Sequence, residues 1–497
     1  MFVRSFADSD GDGIGDLRGL TNRLDYLNDG DSATTGDLGV TGIWLMPIAE
    51  SPSYHGYDVV DYEQIEADYG TAEDFKALMA AADERGIAVI VDLVLNHTSI
   101  DHPWFRDSRT PGSQHDEWYV WSDPAPAVAG PGGRPVWHQD GDRSYYGYFW
   151  EGMPDLNVAN PEVTAALDEV ARFWLEEMGV DGFRLDAARH LIEDGAQLDN
   201  TPATFDWLTG FRTRVETVKP DALIVGEVWD ATSTAARYVE EGALDVAFEF
   251  GLADAILGSI RLGDADTLAN VQAEVTGAYP PGGYAAFLTN HDQNRTMDEL
   301  GRNRDAAGLA ATLLLTNPGV PFIYYGEELG LRGRKPDEEI RTPFPWDASP
   351  PGYGFTTGQP WEAFAPDAET VTVDGQNGDR ESLLSHYRKL TRLRAEHSAL
   401  RSGELIPIDA EPSGVYAFLR HDAGDVIAVV ANLSDEPIDD VSLNLASGPL
   451  CGRTAARTVL GTADARAPEA NPAGGFDDYR PVDHLDPRQA VVIRLSP

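Results

Sequence analysis

Cysteine, lysine and long apolar runs are all scarce in this chain of 497 residues. Its one cysteine, Cys451, leaves no partner for an internal disulfide, so no part of the fold rests on a covalent cross-link. Lysine occurs only at Lys76, Lys219, Lys335 and Lys389; the other basic residues are arginines. Together they number 37 against 83 acids, a net charge of −46. The acids are scattered rather than gathered in a tail, which indicates a solvated acidic surface. That surface makes nucleic acid and anionic membranes poor partners. It also suits high salt, where screening relieves self-repulsion, so salt adaptation is expected. No apolar run is long enough for a membrane span. The start has no basic segment followed by an apolar run, so no signal peptide is read. Because Met1–Arg4 resembles the middle of a strand, a truncated start is expected, and an extracellular location stays open.

What is present is an alternation. Candidate strands fall at Phe2–Arg4, Gly42–Met46, Ala88–Leu95, Gly182–Leu185, Leu223–Val225, Val246–Phe250, Ala285–Leu288 and Pro321–Tyr325. Amphipathic segments such as Ala72–Arg85, Pro161–Met178 and Asp305–Leu315 lie between them. Eight strand–helix repeats predict an α/β fold of the (β/α)8 TIM-barrel type. A stretch rich in Pro, Gly and aromatics after the third strand breaks the rhythm and predicts an inserted subdomain, 98–155. The barrel then comprises 1–97 and 156–396. From 397 to 497, alternating runs (Val415–Arg420, Val426–Asn432, Val441–Leu445, Ala490–Leu495) predict a C-terminal antiparallel β-sandwich domain.

Four motifs stand at predicted C-terminal strand ends, where barrel enzymes build their sites. They are Asp92-Leu93-Val94-Leu95-Asn96-His97, Gly182-Phe183-Arg184-Leu185-Asp186, Gly226-Glu227-Val228-Trp229-Asp230 and Thr289-Asn290-His291-Asp292. Any one acid after a strand could simply cap the next helix. Four converging on one mouth repel one another, which stability alone would not assemble. Arg184 and Asp186, two residues apart on a strand, point to the same side of the pleat.

These motifs, in this order, resemble those of the α-amylase family of glycoside hydrolases. So do Gly39–Pro47, Met153–Asn157 and Gly319–Glu328. The resemblance implies a retaining enzyme acting on α-1,4-glucosidic bonds of starch, maltodextrins or maltooligosaccharides. In it Asp186 is the nucleophile, Glu227 the general acid/base and Asp292 the transition-state stabiliser. Arg184 keeps Asp186 ionised, His97 and His291 donate to the bound glucose, and Tyr57 stacks on it. Ala187, after the nucleophile, is similar to members cutting α-1,4 bonds; α-1,6-acting members commonly carry valine there. Tyr54 stands where exo-acting α-glucosidases commonly carry an aspartate, which favours an open cleft. An α-glucosidase, or a transglycosylase such as a trehalose-forming isomerase, shares the same catalytic set and is the rival reading. A non-catalytic barrel homologue is disfavoured by the intact triad.

Alternating aspartates and glycines in Asp8-Ser9-Asp10-Gly11-Asp12-Gly13-Ile14-Gly15-Asp16 predict a loop that wraps a hard cation. Asp8, Asp10, Asp12 and Asp16 offer side-chain oxygens and Ile14 its carbonyl, and the family resemblance implies structural Ca²⁺ there. A second calcium near Asn96 and the His190 carbonyl is not assigned, because Asn157 stands where calcium-binding members usually have aspartate. Glu327 and Glu328 are expected to be structural. No organic cofactor is expected, and the chain is expected to act as a monomer.

Overall fold

The computed structural model describes residues 1–452, 454–462 and 464–496. Seven parallel strands form one curled sheet: β1 (Gly42–Leu45), β2 (Ala88–Leu93), β3 (Gly182–Leu185), β4 (Leu223–Gly226), β5 (Val246–Phe248), β6 (Tyr284–Ala286) and β7 (Val320–Pro321), paired in chain order. Helices follow the strands as the alternation predicts, including Ala72–Asp83, Arg304–Thr316 and Pro161–Arg172, the last running into a π turn at Phe173–Glu177. The architecture is a TIM-type barrel.

Register decides what faces inward. Trp44 pairs with Ile90, Asp92 with Arg184, and Arg184 with Val225. Side chains alternate along each strand, so these share the inner face. Ile90, Val225, Val246, Phe248, Ala285 and Phe287 fill the interior as one apolar cluster, with Trp44 and Phe322 packed against it. One pleat further toward the C-terminal ends, the inner face changes from apolar to ionic at Asp92, Arg184 and Glu227. The outward residues, such as Val91, Phe183 and Ile224, join the large core under the helices.

The expected strand Phe2–Arg4 is not one: Val3–Ser5 is a 3₁₀ turn. Its backbone groups are engaged elsewhere. Phe2 and Val3 carbonyls accept from Ser5 and Phe6 N–H, and Arg4 and Ala7 carbonyls accept from Gly15 and Asp16 of the returning acidic loop. Only Met1 reaches the sheet, its carbonyl accepting from Met46 N–H at 2.9 Å and its ammonium donating to the Trp44 carbonyl at 2.5 Å. Among the described residues β7 and β1 do not pair, and a largely apolar cavity of about 470 Å³ lies along this seam, lined by Met1, Ile43, Trp44, Phe248, Phe287 and Phe322.

After β2 the chain makes an excursion holding a three-stranded antiparallel sheet (Trp121–Ser122, Trp137–Asp140, Arg143–Tyr146) before returning at Pro161. Beyond the last long helix, Leu383–Glu396, five antiparallel strands follow: β8 (Glu404–Pro407), β9 (Val415–His421), β10 (Val426–Asn432), β11 (Ala455–Leu460) and β12 (Ala490–Ser496), in the order β8-β9-β10-β12-β11. A smaller sheet that includes Ser442–Ser447 and Gly474–Tyr479 packs on them through a separate apolar core. No helix among the described residues is long and apolar enough to cross a membrane.

Candidate active site

Arg184 organises the barrel mouth. Its side chain is 1% exposed, and burial alone would weaken its charge. Asp92 and Glu227 outweigh that and raise its pKa well above the ordinary value. Nη1 donates to Asp186 Oδ1 at 2.7 Å and to both Asp92 oxygens at 3.0 Å; Nη2 donates to Glu227 Oε2 at 2.5 Å. The guanidinium also lies 4.9 Å from the Trp44 ring centroid. Three strands therefore bring three acids onto one cation.

The acids are not equivalent. Burial pushes Glu227 up to about 8 against the pull of Arg184, so it carries a proton at neutral pH. Asp92, whose side chain is fully buried, is pushed by burial to about 7, and it also accepts from Trp44 Nε1 at 3.2 Å and Tyr57 Oη at 3.1 Å. Asp186 is 9% exposed and directly follows its strand, just before Ala187, a non-glycine residue in the left-handed region at φ 49°. Such a backbone turns the chain sharply into the 3₁₀ turn Ala188–His190, and strain of this kind concentrates at functional sites.

Tyr57 and His291 stack at 5.6 Å with 12° between their planes, and Tyr57 Oη is hydrogen-bonded to His291 Nε2 at 2.7 Å. Burial lowers His291 to about 3 and lowers His97 as well, so both rings are neutral near pH 7. His97 Nε2 is buried without a hydrogen-bond partner, and the His97 ring lies 5.1 Å from Phe149 of the excursion. Asp292 is reached by Arg341 Nη2 at 2.8 Å and His291 Nε2 at 3.3 Å. Burial would raise Asp292, but its neighbours outweigh that and hold it below the ordinary range: His291, which bears charge only in acid, and Arg341 and Arg184, which bear it throughout.

These contacts link Tyr57, Arg184, Asp186, Glu227, His291 and Asp292 into one network, with His97 nearby. Two further members carried no assigned role in the sequence reading. Asp92 was visible only as the head of a motif. Arg341 follows the short helix Asp337–Ile340, where no periodicity marks it.

In the acidic loop, carboxylate oxygens of Asp8, Asp10 and Asp16 lie within 4.8 Å of one another. Their close approach fits a hard cation of high charge. Asp12 is not one of this trio; its Oδ1 accepts from Ile14 N–H at 2.8 Å. Asp16 also caps the following helix through Gly19 N–H at 2.7 Å. Asn157 donates to the Glu117 carbonyl at 3.0 Å. Nearby, Asn96 Nδ2 donates to Asp155 at 3.0 Å while Asn96 Oδ1 has no partner. Glu327 accepts from Tyr387 Oη and Thr296 Oγ1, and Glu328 from Tyr26 Oη.

Two carboxyls held on one arginine at the C-terminal mouth of a barrel are the kind of paired-acid arrangement that glycosidases use. Residues 1–403 match the family model "Alpha amylase, catalytic domain". Alpha-amylase 3 of Dictyoglomus thermophilum is 39% identical over 440 residues, 87% of this chain and 84% of that protein. The trehalose synthase of Thermus thermophilus is 34% identical over 492 residues, 87% of this chain and 49% of that protein. The crystal structure of the alpha-amylase from H. orenii superposes with a TM-score of 0.86 at 41% identity, covering 100% of this chain and 98% of that one. The chain belongs to the alpha-amylase family.

Proposed function

We propose that this chain hydrolyses α-1,4-glucosidic bonds in α-glucans and maltooligosaccharides with retention of anomeric configuration. The observation that carries the reading is Arg184 holding Asp186 on one arm and Glu227 on the other. Two carboxyls spanned by a single guanidinium suit the spacing of about 5–5.5 Å that a retaining displacement needs, rather than the wider gap that admits a water.

Asp186 attacks the anomeric carbon while Glu227 delivers its proton to the departing glycosidic oxygen. Glu227, now a carboxylate, takes a proton from water as that water displaces Asp186 from the sugar. Asp292 stabilises the oxocarbenium-like transition state. Neutral His97 and His291 donate to glucose hydroxyls, and Tyr57 provides the stacking face. The unpartnered His97 Nε2 is the kind of buried donor that a ligand completes. Asp8, Asp10 and Asp16, joined by Asp12 and the Ile14 carbonyl, would hold Ca²⁺, which when bound cross-links the loop and supplies no catalytic group. The division we propose is barrel 1–97 and 156–396, insert 98–155 and β domain 397–497, acting as a monomer.

Product analysis on starch and maltoheptaose tests this reading. A mixture of short maltooligosaccharides of retained configuration is expected. Glucose released only from chain ends would reject an open cleft. Relatives named trehalose synthase and 4-alpha-glucanotransferase, the latter 32% identical over 453 residues, favour sugar as the rival acceptor. Trehalose formed from maltose would establish that rival.

A further inference from the structure

Four acids crowd the mouth, yet Arg184 binds only three. Asp92, Asp186 and Glu227 each accept a hydrogen bond from it, and Asp292 does not. The cation in contact with Asp292 is Arg341, whose side chain is 3% exposed. Arg341 grips two points of one segment: Nε donates to the His291 carbonyl at 2.9 Å and Nη2 to Asp292 Oδ1 at 2.8 Å. The same nitrogen lies 3.3 Å from Asp337. The guanidinium lies 5.8 Å from the Tyr54 ring, which stacks on Trp361. Arg341 is itself anchored, because its carbonyl accepts from buried Ser5 Oγ. This is a rigid two-point clamp on the loop that carries Asp292.

We propose that Arg341 is a positioning residue that fixes the Asp292 carboxylate and keeps it ionised, making Asp292 a second electrostatic unit separate from the one built on Arg184. The catalytic meaning of this unit rests on reading Asp292 as the transition-state stabiliser. The charged and titratable groups around Asp292 are His55, Tyr57, Arg184, Glu227, His291, Lys335, Asp337 and Arg341. Burial leaves His291 neutral above about pH 3. Glu227 and Asp337 oppose a second negative charge when ionised. Arg184 acts without direct contact, and Lys335 is half-exposed. Arg341 alone combines permanent charge, burial and contact.

The sign follows from removing that charge. Without Arg341, Asp292 holds its proton to higher pH, and the carboxylate is lost as pH falls through the raised midpoint.

The experiment compares wild type with Arg341→Met and Arg341→Lys in the full chain. The Asp292 titration is followed by carbon-13 NMR of labelled aspartate, its signal assigned by loss in Asp292→Asn. In Arg341→Met the Asp292 midpoint is expected to rise, and kcat on maltoheptaose to fall ~100-fold with little change in KM. The acid limb of the rate profile should shift toward neutral pH. Arg341→Lys should restore the midpoint and acid limb but only part of kcat, because the second grip on the His291 carbonyl is lost. An unchanged Asp292 midpoint in Arg341→Met overturns the proposal, as does full wild-type kcat in Arg341→Lys. Should Arg341→Met fail to fold, the Arg341→Lys rate and titration still decide. The titration needs no turnover, so a wild type inactive on α-1,4 bonds would reject the hydrolase reading while leaving the Arg341 assignment to be judged separately.

Discussion

Buried arginines appear in two contrasting settings. At the barrel mouth, Arg184 sits among carboxyls. At the seam between the barrel and the C-terminal sheet, Arg394 and Arg420 sit among backbone carbonyls, with no acid among the described residues in contact. Arg394 donates to the carbonyls of Leu315, Asn317 and Gly319, and Arg420 to those of Thr316 and Gly403. These groups include the end of the helix Arg304–Thr316, whose last carbonyls have no partner within the helix. Burial lowers Arg394 to about 10 and Arg420 to about 9, with Arg401 adding to the shift of Arg394 and Arg394 to that of Arg420, whereas acids raise Arg184 far above normal. One residue type thus does two jobs. Among carbonyl dipoles it fastens one sheet to another element. Among acids it gathers three carboxyls at one point, and burial then raises Glu227 and Asp92 against its pull.

The sharpest test of this contrast removes the acids themselves. Asp186→Asn and Glu227→Gln should each cut kcat by roughly 10³-fold or more while the fold survives. In wild type the rate should fall as pH rises through about 8, where Glu227 loses its proton, and Glu227→Gln should lack this limb. Stability should fall over the same rise in pH. The Glu227 pKa is raised on folding, so the folded chain keeps a proton that the unfolded chain releases above the ordinary value of 4.5. Glu227 therefore costs stability increasingly from there to about pH 8, and Glu227→Gln should melt higher at pH 8, a gain that fades at pH 4. Equal melting points at both pH values would contradict the burial argument.

At the other site, Arg420→Met should lower the melting temperature without moving either limb of the rate profile. Carbonyls left unsatisfied in a buried seam cost about 1–3 kcal/mol each. A displaced pH profile would show that the seam reaches the mouth. Smaller effects concern the surface and the acidic loop. A chelator should lower the melting point more than it alters kcat at room temperature, since the loop carries no catalytic group. An unchanged melting point, with no metal found on analysis, would remove calcium from the account. Molar salt should raise the unfolding midpoint relative to low salt, because it screens a net charge of −46.

Much of the site was legible because inner-face residues obey strand parity. Arg184 and Asp186 had to share a face, and register then set Arg184 beside Asp92. The strand expected at Phe2–Arg4 failed because its backbone partners come from the acidic loop, a long-range competition that a local apolar run does not encode. Arg341 escaped notice for a related reason. It lies in an irregular stretch after β7, where neither period of two nor of 3.6 marks a direction. The acidic loop was readable from spacing, yet which aspartates converge depends on turns within it, and Asp8, Asp10 and Asp16 proved the close trio.

Among the described residues β1 and β7 do not pair with each other, while β3 and β4 have a strand on each side. Stiffness is then distributed unevenly around the ring. Arg184 and Glu227 thus stand on, or just after, strands paired on both sides, the most fully hydrogen-bonded arc of the sheet.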